Sequence, residues 1–117
     1  MKLKTTSITS VILCCAAWAL LALQSHAALI QEGKSDYQIV LSDGAISSEV
    51  TAAKELQNFL TQITGVTLPI VQEKGSVPSI LVGQSPEVSQ ALGGLDFASL
   101  KSDEIVLKTV GKDIILC

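Results

Sequence analysis

Between residues 37 and 85 the spacing of apolar residues switches from alternation to helical and back, and each switch carries a turn or cap residue. Tyr37-Gln38-Ile39-Val40-Leu41 alternates and is β-rich, and Ser42-Asp43-Gly44 then turns the chain. Ser47 or Ser48 fits an N-cap, with Glu49 near the positive end of the helix dipole. Val50, Ala53, Leu56, Phe59, Leu60 and Ile63 then recur at helical spacing, which predicts one apolar face with Phe59 in the core. Lys54, Gln57, Asn58, Thr61 and Gln62 fall mostly on the other side. Gly65 follows as the stop, because it takes a positive φ without a Cβ clash.

Residues 67–71 read as a strand whose Pro69 implies an edge or bulge position. A charged loop, residues 73–78, precedes Ser79-Ile80-Leu81-Val82, a continuous apolar run of the kind buried on both faces. Gly83 ends it, and Ser85-Pro86 fits N-cap and N1 of a short helix through about Leu92. Gly93-Gly94 breaks that helix, and residues 95–102 are expected to be irregular or a single turn. Residues 104–110 and 113–117, joined by Gly111-Lys112, predict a hairpin with a two-residue turn. The order β-α-β-β-α-β-β predicts a single small α/β domain, α+β-like, over residues 37–117. Its mixed sheet carries one main amphipathic helix.

The preceding segment reads as an address. Lys2 and Lys4 give a short positive region, and residues 8–23 are apolar apart from Thr9 and Ser10. Ser25-His26-Ala27 puts small residues where signal peptidase inspects, which predicts a signal peptide over residues 1–27 and cleavage after Ala27. The apolar run is shorter than the ~20 residues of a spanning helix. Leu13 before Cys14 is too large for a lipoprotein site. An exported protein, periplasmic or extracellular, is expected, with residues 28–36 a loose polar lead-in.

Composition matters once the leader is set aside. The remaining 90 residues of the 117 form a domain that buries only about 60 to 65 % of its unfolded surface. Cys14 and Cys15 leave with the leader, so Cys117 has no partner for an internal disulfide. In so small an exported domain this points to burial supplied by a larger partner module. Six Lys, no Arg and eleven acidic residues argue against nucleic acid and anionic membrane as partners.

Catalytic patterns are thin. Gly83-Gln84-Ser85-Pro86 has the outline of a serine nucleophile elbow, but Glu87 stands where the second Gly belongs, and the one His, His26, lies in the leader. Helix capping explains Ser85 better. Asp103-Glu104 is the one adjacent carboxylate pair; neighbours on a strand face opposite ways and cannot flank one glycosidic bond. Glu49 and Glu55 are six positions apart, about 240° around a helix. With no His and one Cys after the leader, no metal site is expected, and no phosphate-cradling Gly motif implies a cofactor. Trp18 belongs to the leader, leaving Tyr37, Phe59 and Phe97 as the aromatic surface for sugar stacking. Catalytic, cofactor and metal residues are therefore expected to be none, and Cys117 reads as a strand residue.

The strand through Tyr37, the run Ala52-Ala53-Lys54-Glu55-Leu56-Gln57 with Ile63-Thr64-Gly65, then Leu68-Pro69-Ile70 and Ile80-Leu81-Val82-Gly83 form a recognisable set. Together with the closing hairpin they resemble the N-terminal α/β accessory domain of bacterial α-glucuronidases and β-N-acetylhexosaminidases. The same domain precedes barrels in related secreted proteins. The resemblance covers residues 37–117. It implies a (β/α)8 catalytic barrel beyond a Gly- and Arg-containing segment that this chain does not reach. The catalytic carboxylates of those families lie in the barrel, so no position here inherits a catalytic role.

The expectation is thus a non-catalytic domain of a secreted polysaccharide-degrading hydrolase, the front end of a longer protein, whose partner is the barrel and through it polysaccharide. The motifs do not separate the glucuronidase from the hexosaminidase context. The alternative is a free-standing exported module contacting cell-surface glycan.

Overall fold

The computed structural model describes residues 28–117; the expected signal peptide, residues 1–27 with Trp18, His26, Cys14 and Cys15, lies outside the described residues. The elements are β1 (Gln38–Leu41), α1 (Ser47–Thr64), β2 (Ile70–Val71), β3 (Ser79–Val82), α2 (Pro86–Ala91), a 3-10 turn at Phe97–Ser99, β4 (Leu107–Val110) and β5 (Asp113–Leu116). They build the expected mixed α/β sheet, in the order β2-β1-β3-β5-β4. β2, β1, β3 and β5 run parallel, and β4 pairs antiparallel with β5.

Alternation within the strands makes two cores. Ile39, Ile80 and Val82 point to the α1 side, where they meet Ala53, Leu68 and Tyr37. Val40, Leu81 and Ile115 point to the other side and pack with Val88 of α2. β3 is central and buried at all four positions, as its unbroken apolar run requires.

Several boundaries move for identifiable reasons. The N-cap of α1 is Ile46 rather than Ser47 or Ser48. Glu49, at the third helical position, reaches back to accept the Ile46 N–H at 3.0 Å, so no hydroxyl is needed there. At the other end Gly65 stops the helix with φ +73°, its N–H bonding Thr61 O at 2.8 Å. The strand expected over residues 67–71 shrinks to Ile70–Val71 at the sheet edge, since Pro69 has no N–H to give a ladder.

The strand expected over residues 104–110 begins at Leu107, because residues 101–104 close a turn through the Glu104 N–H to Lys101 O bond, 3.0 Å. The two-residue hairpin turn and the Ser85-capped α2 stand where expected. The lead-in is ordered: Gln31 and Lys34 exchange backbone hydrogen bonds at 2.9 and 3.0 Å around Glu32 and Gly33, both at positive φ. Leu29 packs on the α1-side core.

The largest correction concerns α1. Ala53, Leu56 and Leu60 meet the sheet, but Phe59 is 57 % exposed and Ile63 79 %. Gln57, expected outside, turns inward and donates to Leu68 O at 2.6 Å. At ~100° per residue, Phe59 lies about 120° from Ala53 and Ile63 about 80°, both rotated to one flank. That flank also carries Ala52 and Leu56.

Candidate functional site

α1 lies over one half of the sheet, contacting β1, β2 and β3. Beside it, over β5 and β4, an open groove of about 530 Å³ runs along the same face. Its wall is the flank of α1 with Ala52 and Leu56; its floor is Val82, Leu116 and Leu107; Ile46 and Ile105 also line it. The floor follows from register, since Leu107 stands opposite Leu116 and Leu116 shares the α1 side with Ile114. Ile46, Ile105, Leu107, Phe59 and Ile63 are all exposed. Phe59 and Ile63 prolong the apolar wall along α1, giving a stripe Ala52-Leu56-Phe59-Ile63 at spacings of four, three and four. A parallel strand such as β5 is ordinarily covered on both faces. Here its α1-side face is covered only in part.

The one carboxylate lining the groove is committed to structure, while Ser48 and Gln84 add neutral polar side chains. Glu49 accepts the Ile46 N–H and, through Oε1, the Gln84 N–H at 2.7 Å. Gly83 beneath it has φ +85°, and a Cβ there would come within 2.5 Å of the Glu49 carboxylate. Only glycine lets this carboxylate lie so close to the end of β3. Cys117 lines the same groove; burial pushes its thiol above the ordinary range, and the Glu49 charge pushes it the same way. A protonated thiol is a poor nucleophile.

The other candidates take structural places. Ser85 Oγ accepts the Val88 N–H at 3.2 Å and caps α2. Asp103 and Glu104 belong to an exposed turn rather than a strand, and Glu104 accepts the Lys101 N–H at 3.2 Å. Glu49 faces the groove, whereas Glu55 is exposed to solvent. Tyr37 is buried with its hydroxyl donating to Lys112 O at 2.8 Å, and half-buried Phe97 packs on the α2-side core. Among the described residues Phe59 is therefore the exposed aromatic ring, the reverse of its predicted burial. Among the described residues no three His, Cys, Asp or Glu side chains gather closely enough to hold a metal ion.

Residue spacing carries a trace of the groove. The apolar arc of α1 is wider than one sheet contact needs, and Ile105 and Leu107 alternate apolar beyond the core count. No protein-family model, curated protein or solved structure matches the chain.

Proposed function

We propose that this chain is the non-catalytic N-terminal domain of a secreted carbohydrate-active hydrolase, of α-glucuronidase or β-hexosaminidase type, and that it supports a (β/α)8 catalytic barrel. The observation that carries this reading is the apolar groove beside α1. Its carboxylate is tied to backbone amides and its thiol is held protonated, while its walls are aliphatic and open. Such a surface suits the burial of another protein module better than proton transfer to a sugar. Resemblance of the 52–57, 63–65 and 80–83 motifs to the accessory domain of those hydrolases supports the barrel as the module.

Co-production with each type of barrel, its own N-terminal domain removed, tests the reading. The chain is expected to co-purify with one of them, and Ala52→Glu, at an exposed position on the groove wall, is expected to abolish this while leaving the isolated chain folded. The pure chain is expected to leave aryl glycosides intact. Turnover by the chain alone, retention on cell-surface glycan in place of either barrel, or co-purification indifferent to Ala52→Glu contradicts the proposal.

A further inference from the structure

We propose that β4 is the contact edge of a symmetric dimer, in which two copies add their β4 strands antiparallel and join two sheets into one. The sheet has two edges. β2 is two residues long and follows Pro69, which offers no N–H, so it makes a poor template. β4 is longer, and among the described residues it pairs only with β5.

Its outer side is identifiable from the ladder. Val106 and Cys117 exchange both backbone hydrogen bonds, at 2.6 and 3.0 Å. Leu107, next along and opposite Leu116, therefore turns its N–H and C=O away from β5, and Ile105 on the other side of Val106 does the same. These two residues are also 72 % and 83 % exposed. An open edge bearing large apolar side chains is a pairing surface unless something shields it.

Charge selects the register. Antiparallel pairing brings outward groups to outward groups and keeps paired side chains on one face. A two-fold axis at Lys108 would set Lys108 against Lys108. An axis at Leu107 would set Lys108 against Val106 and Ile105 against Thr109, pairing no charge. An axis at Val106 sets Ile105 opposite Leu107 twice, with backbone hydrogen bonds exchanged in both pairs. On the opposite face it sets Glu104, the last residue of the turn before β4, opposite Lys108 twice, so that its exposed carboxylate exchanges the Lys101 N–H for the partner copy's Lys108 ammonium. This register alone covers both exposed apolar residues with each other and matches both charges. The axis stands perpendicular to the sheet, so both α1 helices lie on one side; the β4 side of each groove is shared with the partner copy, and the α1 flank from Ala52 to Ile63 stays free in both. The dimer thus goes beyond the docking reading and is compatible with it.

Sedimentation velocity of the chain, purified as the cell delivers it, tests the proposal beside Glu104→Lys, Lys108→Glu and the double exchange. A concentration-dependent dimer is expected. Each single reversal should weaken it about tenfold, and the double exchange should return it to within about threefold of the parent, with circular dichroism unchanged throughout. A monomer at every concentration, a dimer indifferent to the single reversals, or one not restored by the exchange overturns the proposal. No barrel is present in this assay, so its failure leaves the barrel reading standing.

Discussion

Glu49 ties the end of β3 to the start of α1: its Oε1 accepts the Gln84 N–H at 2.7 Å while its Oε2 accepts the Ile46 N–H at 3.0 Å. One carboxylate thus caps the main helix and fixes the strand that ends beneath it. Glu49→Ala is expected to destabilise the chain by about 2 kcal/mol, since two charge-assisted hydrogen bonds are lost from a half-buried position. Urea unfolding with an unchanged m-value checks this.

Gly83→Ala is expected to cost about 2 to 4 kcal/mol, because the new Cβ meets both a positive φ and the Glu49 side chain. Combining it with Glu49→Ala should cost less than the sum of the two. Removing the carboxylate relieves the collision but not the backbone strain. Strict additivity in the double-mutant cycle would show that the close approach carries no energy.

The two apolar sides of α1 should respond differently. Phe59→Ser and Ile63→Gln are expected to change stability by no more than about 0.5 kcal/mol, since both side chains stand in solvent. Leu68→Ala, at a position fully enclosed under α1, should cost about 2 to 4 kcal/mol. Thermal unfolding of the three variants separates flank from core.

The punctuation of this fold is legible in its residues, whereas the placement of its helix is not. Gly65, Ser85-Pro86 and Gly111-Lys112 mark ends by local backbone chemistry, and each lies where it is expected. Phe59 and Gln57 exchange roles because helical spacing defines an apolar arc without saying which part of it meets the sheet. That depends on the strand order β2-β1-β3-β5-β4, which brings together segments far apart in the chain. The groove is hidden for the same reason: Leu56 and Leu107 are 51 residues apart and share a wall and floor only after β5 is inserted between β3 and β4. Glu49 as a reach-back cap was readable as an acid near the helix start, but its second bond to Gln84 was not.

Cys117 gives a pH dependence of definite sign. Its raised folded pKa means that the native state holds the thiol proton more tightly than the unfolded chain does. This contribution is fully present below the ordinary thiol pKa and is lost as pH rises through the folded value. Stability from neutral to alkaline pH should therefore fall more steeply in the parent than in Cys117→Ser, and thiol alkylation at mildly alkaline pH should quicken in Glu49→Gln.

Backbone hydrogen exchange of the chain, alone and bound to its barrel, tests the docking surface most directly. New protection is expected on the α1 flank from Ala52 to Ile63. Protection confined to α2 and the opposite face of the sheet, with the groove exchanging as fast as in the free chain, would contradict the account.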